Sequence, residues 1–584
     1  MSLIFRYLGK YRLRVGFVMA VKLCATMTEL MLPYILEHLI DVIVPRGELG
    51  PIFLWGLLMA LAAVVTRQLN VAANRRAVEN AHNISYDVRQ ALFIKTANLS
   101  GAQFDRFGLP SLISRMTSDS YNVQSCAQSM QTMCIRAPIM LLGGIAVALT
   151  MDVPLALVMC VMAPVLVAVC VGVSRFGIPL YNKVQQRLDD VVRIMREAIS
   201  GIRVVKALSK EQYEKDHFAA ANAAMAASDI KASTVMAIPG PAMQMSLNIG
   251  LTAVVVLGAY RVNEGLMRPG VILAFLTYFN MIMMGVMGLN RIFIMLSKAS
   301  ASAGRIDEVL QTRPDQAVLP PEDAAPPTGE EFIRFENVSF SYGEGAAGHE
   351  GFVGSEREKC LENISFAIRR GESLGIIGST GCGKTTVVNL LMRFYDVHEG
   401  AVYVDGRDVR TYEKDELHRR FGVVFQNDMV FNDTLRRNID FGRDLSDEDI
   451  RNAVADAMAA EFIDELPEGL EHMADIRGAN LSGGQKQRLL IARALAGRPE
   501  ILVLDDSSSA LDYKTDAALR RAIFDRHQGA TTIMIAQRVS SIQSMTNILV
   551  LDDGRCIGYG SHAQLMESCP TYRNIYETQM GSLA

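Results

Sequence analysis

Residues 373–392 read SLGIIGSTGCGKTTVVNLLM, and this stretch decides the fold of the C-terminal half. An apolar run of strand character leads into Gly378, Ser379, Thr380, Gly381, Cys382, Gly383, Lys384, Thr385 and Thr386, and helix-forming residues follow at once. That order is G-x-x-x-x-G-K-[ST] between a strand and a helix, the context a phosphate-binding loop demands. The glycines let backbone N–H groups approach phosphates, and the helix N-terminus adds a positive field. Lys384 reaches the terminal phosphates, and the Thr385 hydroxyl is placed to ligate Mg²⁺. Cys382, inside the loop and near a helix N-terminus, is expected to favour the thiolate, to react with maleimides and to be protected by ATP.

Two further segments belong to the same chemistry. Ile501 to Asp506, ILVLDD, is an apolar strand ending in Asp505, a carboxylate placed to hold Mg²⁺. Between loop and strand lies LSGGQKQR, residues 481–488, whose Ser482, Gly483, Gly484 and Gln485 open a helical stretch and can present donors to a terminal phosphate. Short strand-like runs (FIRFENVSF, AVYVDG, FGVVFQ, TTIMIAQ, NILVLDDG) alternate with helical stretches around them, which predicts a mostly parallel α/β sheet.

The N-terminal half is of another kind. The chain has 584 residues, 50% of them hydrophobic, a mean hydropathy of +0.18 and a net charge of 58 − 62 = −4. It is too apolar for an ordinary soluble enzyme and too charged for a purely membrane-embedded protein. The acidic balance argues against a nucleic-acid partner. Nine Cys without a CxxC pair give neither a disulfide framework nor a zinc site. Six apolar segments, near Val15–Val44, Ile52–Leu69, Met130–Thr150, Pro154–Phe176, Met243–Tyr260 and Val271–Leu296, each approach the roughly 20 residues that span a bilayer. The basic start, with Arg6, Lys10, Arg12 and Arg14, lacks a cleavage site and reads as the flank of a retained first helix.

Connections after the second and fourth segments run for about sixty residues and carry most of the Lys and Arg, including Arg75, Arg76, Arg115, Arg196 and Lys206. By the positive-inside rule they are cytoplasmic, as are both chain termini, while Glu48 and Asn263 face outward. Helical spacing continues into these loops, so the helices extend past the membrane to tips near 100–107 and 209–218. Both tips are expected to touch the C-terminal domain. Residues 311–330, rich in Pro, Ala and acids, read as a linker.

LSGGQ between a phosphate loop and its acidic strand resembles the signature of the ATP-binding cassette (ABC) family. With six helices ahead of one nucleotide domain, the whole chain is similar to an ABC exporter half-transporter. The expected fold is an all-α six-helix transmembrane bundle with long cytoplasmic extensions (1–310), the linker (311–330), and an α/β P-loop ABC ATPase domain (331–584). The resemblance implies ATP and Mg²⁺ as cofactors, and a head-to-tail dimer in which one chain's signature meets the other's loop. It implies Tyr342 as the adenine-stacking aromatic, Gln426 as the glutamine that senses Mg²⁺ and the membrane domain, and Asp512 as a residue of the dimer seam. It also implies cytoplasmic tips that dock on the nucleotide domains.

Three departures stand out. Asp506 occupies the place where the family commonly has a Glu that polarises water, and Gln537 replaces the switch histidine. An insertion, residues 343–360, lengthens the loop after Tyr342 and puts its stacking in question. The Asp is one methylene short, so its oxygens fall about 1 Å from where they would act. General-base positioning is worth roughly 10²- to 10⁴-fold, so this chain's own site is expected to be slow. The resulting expectation is the degenerate-site subunit of a heterodimeric multidrug exporter in the lipid bilayer. Its intact LSGGQ would serve the partner's site, and its substrate would be amphipathic. The alternatives are a peptide or lipid exporter, or a homodimer with competent sites. An importer, which keeps its domains on separate chains, and a soluble ABC ATPase are disfavoured. Lys22, Glu29 and Glu37 share a face of the first helix and are candidate pathway groups. The sixth helix carries Met281, Met283, Met284, Met287 and Met295 with Asn280, Asn290 and Arg291, a surface suited to varied apolar ligands.

Overall fold

The computed structural model describes residues 1–320, 331–343, 360–507 and 510–581, and forms two compact units, 1–97 with 112–312 and 98–111 with 313–584. Nearly all of the insertion after Tyr342, and residues 321–330 of the expected linker, lie outside the described residues.

The first unit is helical. An amphipathic α1 (Ser2–Lys10) buries Leu3, Ile4 and Leu8, and α2 (Arg12–His38) and α3 (Leu49–Ala97) follow. After a short helical pair described below come α6 (Ser120–Pro138), α7 (Gly144–Met151), α8 (Val153–Ser200), α9 (Ile202–Ala207), α10 (Glu211–Ala237), α11 (Pro239–Asn263) and α12 (Pro269–Gln311). Among the described residues the stretches Arg12–Arg46, Leu49–Ala97, Leu109–Met151, Glu211–Asn263 and Pro269–Gln311 are long and apolar enough to cross a membrane, and α8 opens with an apolar Val153–Val169. At 49 residues α3 is roughly twice the length a bilayer requires, so the helical periodicity of the long loops is helix in the structure.

Polar residues hold this bundle together. Lys22 is 4% exposed and donates to the Asn70 and Asn74 side chains at 2.7 and 3.1 Å. Glu29 accepts from Arg136 at 2.8 Å. Lys22 and Glu29, the candidate pathway groups, thus cross-link helices, as a charge in an apolar layer favours pairing. The ends of the first and last long helices meet where Asp41 accepts from the Gly270 N–H at 2.6 Å. The second expected tip, 209–218, shifts: the chain reverses at α9 and Leu208–Lys210, and Glu211 already begins α10.

The second unit contains two sheets where one was expected. β1 (Ile333–Phe340), β2 (Leu361–Ile368), β4 (Glu399–Val404) and β5 (Arg407–Asp408) form an antiparallel sheet ordered β2-β1-β4-β5. FIRFENVSF and AVYVDG therefore leave the parallel sheet, because alternation of apolar and polar residues does not report strand direction. β3 (Ser373–Gly378), β6 (Phe421–Val424), β7 (Ile501–Asp505), β8 (Thr531–Ile535), β9 (Asn547–Asp552) and β10 (Arg555–Gly560) form the other, ordered β10-β9-β3-β8-β7-β6 and parallel except for β10. β7 (ILVLD) and β8 (TTIMI) are buried along their whole length, which is why their sequences are mostly apolar rather than alternating.

The tip at residues 98–111 belongs to this second unit. Ser100 caps α4 (Gly101–Phe107) with a reciprocal Ser100–Gln103 capping box, and α5 (Leu109–Ser114) follows. Gly101 N–H donates to the Phe394 carbonyl at 3.1 Å, and the Tyr395 hydroxyl donates to Asp105. Ser100 donates to Asp315 at 2.8 Å, and Gln103 to the Arg313 carbonyl at 2.6 Å. The first half of the expected linker is thus packed: Gln316 donates to the Arg393 carbonyl, and Arg393 to that of Ala317. A Cβ on Gly101 would lie 2.8 Å from the Phe394 oxygen and 2.9 Å from the Tyr395 ring. Gly101→Val should therefore weaken docking by about 1–3 kcal/mol, the usual cost of overpacking. If the chain has the ATPase activity its resemblance implies, turnover should fall at least tenfold while fluorescent-ATP affinity stays within twofold; unchanged turnover would show that this contact carries no function.

Candidate nucleotide site

β3, β8 and β7 are neighbours, with Ile376 beside Ile535 and Ile535 beside Asp505. All three run the same way, so their carboxyl ends carry the phosphate loop, Gln537 and the pair Asp505–Asp506 to one edge of the sheet, where open α/β folds bind ligands. They enclose a cavity of about 260 Å³, lined by Thr380, Gly381, Gly383 to Thr386, Gln426, Asp505, Asp506, Gln537 and Cys360.

Within the loop each glycine has a reason. Gly381 and Gly383 have φ of +86° and +98°, and a Cβ on Gly383 would sit 2.5 Å from Leu361 and 2.8 Å from the Cys360 carbonyl. A Cβ on Gly378 would fall 2.0 Å from the Leu551 carbonyl oxygen. The loop therefore closes into a cradle of backbone N–H groups ahead of the helix Lys384–Leu391. Lys384 bends back over it, donating to the Gly378 and Ser379 carbonyls at 3.0 and 2.7 Å, while the Ser379 hydroxyl donates to Asp552.

Thr385 donates to Asp505 Oδ2 at 2.7 Å. Asp505 is 1% exposed, and burial pushes its carboxyl above the usual range, against the opposing effect of the Thr385 bond. A hydrogen bond to such a group contributes about 1.5–3 kcal/mol. The pairing of a hydroxyl with a buried carboxylate beside an N–H cradle fits a hard divalent cation and a polyphosphate. Thr385, Asp505 and Gln426 would hold Mg²⁺, whose charge would neutralise the phosphates.

Next to it, Gln537 Nε2 donates to Asp506 Oδ2 at 2.9 Å. Asp506 has φ +48°, a left-handed conformation costing about 1 kcal/mol, and its N–H donates to the Ile535 carbonyl at 3.0 Å. Burial raises the Asp506 carboxyl pKa, and the Gln537 amide works against that rise. The two residues that depart from the family pattern are thus bonded to each other.

Other expected residues fall differently. Tyr342 lies outside the cavity lining: its hydroxyl is 3.2 Å from both Thr386 Oγ1 and Asn389 Nδ2, and its ring stands edge-on to Phe340 and Tyr395 at 4.9 and 5.1 Å. Ser482, Gly483, Gly484 and Gln485 do not line this cavity either. Ser482 and Gln485 form a capping box on the helix Gly483–Ala496, and Ser482 and Gly483 are exposed. Asp512 caps the helix Tyr513–Arg526 through the Thr515 N–H and hydroxyl, which hold its carboxyl below the usual range.

Cys382 corrects an expectation. It is 3% exposed, and burial pushes its thiol up despite Lys384 nearby, so the helix terminus does not make it a ready nucleophile. The cavity thiol is Cys360, half-buried, with Sγ 3.2 Å from Thr386 Oγ1. Sequence reasoning missed it, although its place directly before the strand-like LENISF was the available signal. In single-cysteine chains, Cys360 should react with maleimide and be protected at least fivefold by ATP, and Cys382 should react at under a tenth of that rate; the reverse order would refute this placement. Thr385→Val, which takes the donor from Asp505, should weaken Mg²⁺-dependent ATP binding about tenfold and leave binding in EDTA nearly unchanged, as read by fluorescent-nucleotide titration.

Comparison with known proteins gives this geometry its context. Residues 15–287 match the family model for the ABC transporter transmembrane region, and residues 361–509 match that for the ABC transporter. An uncharacterised ABC transporter ATP-binding protein of Mycobacterium tuberculosis is 32% identical over 99% of this chain and 98% of its own. Another, from Bacillus subtilis, is 33% identical over 98% of each. An ATP-dependent lipid A-core flippase of Desulfotalea psychrophila is 32% identical over 85% of each. A bacterial Atm1-family ABC exporter, solved with ATP bound, superposes with a TM-score of 0.79 at 24% identity, covering 98% of this chain and 100% of that one. The chain belongs to the ABC transporter family, as a half-transporter whose helical membrane domain and ATP-hydrolysing domain share one polypeptide.

Proposed function

We propose that this half-transporter works as one half of a heterodimeric exporter of amphipathic or drug-like compounds, and that its own phosphate loop forms the slow ATP site of the pair. The bond from Gln537 to Asp506 carries this reading. A carboxylate already one methylene short is drawn toward an amide that has no titratable proton, so it is poorly placed to polarise water. The exposed Ser482 and Gly483 remain available to complete a competent site on the partner. The exposed turn around Leu208 is likewise available to a second ATPase domain.

An amphipathic substrate is supported by α12. Asn280, Met284, Met287 and Arg291 recur at helical spacing and are all exposed, giving one stripe of flexible thioethers between an amide and a guanidinium. Met281, Met283 and Met295 are partly buried, and the side chain of Asn290 lies outside the described residues. A lipid substrate is the second reading, favoured by the flippase among the relatives. The basic loops support a cytoplasmic position for both chain termini. A cysteine at Glu48 or Asn263 should label from outside intact cells, and one at the exposed Arg106 should not; labelling at Arg106 would invert the topology.

In the assembled pair, Ser482→Arg should nearly abolish ATPase activity and transport, because bulk and charge would meet the partner-bound phosphate. Asp506→Asn should cost well under the roughly 10²-fold of a working base. Equal loss in both variants would mean that this chain carries its own competent site.

A further inference from the structure

The basic flanks of α2 and α3 do not simply point into solvent. Arg14 and Arg76 line one cleft of about 350 Å³ with Leu13, Phe17, Asn80 and Asn83. A second cleft of about 430 Å³ shares Arg76 and Glu79 with it and adds Arg75, Gln68 and Val71. The position along both helices is the same: the apolar run of α2 begins just after Arg14, and that of α3 ends a few residues before Arg75. The clefts thus lie where the apolar runs of both helices end, the level at which hydropathy puts the headgroup region.

The charge in them is unbalanced. Glu79 is engaged by Arg75 at 3.3 Å. Arg14 and Arg76 have no carboxylate within ion-pair distance among the described residues, and the Arg76 guanidinium lies 5.1 Å over the Phe17 ring, which fixes its place. Arg14, Arg76 and Asn83 thus line a cleft in which, among the described residues, the one acid, Glu79, is already paired, while the Arg14 guanidinium lies 6.0 Å over the Tyr11 ring at its edge. Above them an apolar track continues along α3, where Val64, Leu61 and Leu57 are 57, 59 and 68% exposed. A forked cationic head under an exposed apolar track matches one ligand chemistry, a phosphodiester carrying acyl chains.

We propose that the α2–α3 cleft binds the phosphate of an anionic phospholipid of the leaflet facing the basic loops, with its acyl chains lying along α3. Arg14 and Arg76 grip the phosphate, and Asn83 donates to the headgroup. The side assigned to this leaflet rests on the topology proposed above, whereas the binding does not.

The full-length transporter, in nanodiscs of phosphatidylcholine with 20% photoreactive phosphatidylglycerol, tests this. Crosslinks should map to peptides containing residues 11–18 and 71–83. The double variant Arg14→Gln/Arg76→Gln should lose at least tenfold of that labelling, Arg14→Lys/Arg76→Lys should keep a substantial part, and Arg12→Gln, outside the cleft, should keep all of it. Retained ATP turnover and thermal midpoint in the glutamine variant would show that it is folded. Labelling that is unchanged in the glutamine variant, or that maps elsewhere, would overturn the proposal. Full protection by millimolar inorganic phosphate would also overturn it, because the cleft would then take the free anion rather than the lipid.

Discussion

The hydrogen bond from Thr385 to Asp505 joins the phosphate loop to the acidic strand, and the order of the parallel sheet brings its two partners together. One partner opens a helix after β3 and the other ends β7, with β8 between them. Three parallel strands with their carboxyl ends level deliver both groups to one edge. Parallel strands in turn need both faces covered, which explains their mostly apolar sequences and the helices between them.

The same edge explains why the two departures matter together. Gln537 leaves the end of β8 and Asp506 the end of β7, so a change at one is felt by the other across a single hydrogen bond. In the slow-site reading proposed above, the cradle, Lys384 and the Thr385–Asp505 pair would serve binding, and the bonded Asp506–Gln537 pair would be what alters the orientation of water.

Much of this was legible in the sequence. The phosphate loop, the acidic strand and LSGGQ each sit in the local context their chemistry requires, and helix lengths and loop alternation follow from hydropathy. What was not legible depended on long-range partners. No local pattern says that Lys22 will meet Asn70 and Asn74, 48 and 52 residues away. None says that Asp506 and Gln537, 31 residues apart, will bond, or that the tip at Asp105 will reach Tyr395. Cys382 was misjudged because its motif position predicts the electric field but not the burial that opposes it. The antiparallel sheet was missed because strand direction is set by pairing.

In the proposed pair, this chain's loop would bind ATP but hydrolyse it slowly. The most direct measurement is vanadate trapping with a photoreactive ATP analogue, followed by identification of the labelled chain and of the nucleotide held at each site. The account predicts ADP trapped with vanadate on the partner's phosphate loop and intact triphosphate on the loop around Lys384. Vanadate-trapped ADP on this chain's own loop, in equal amount, would contradict it.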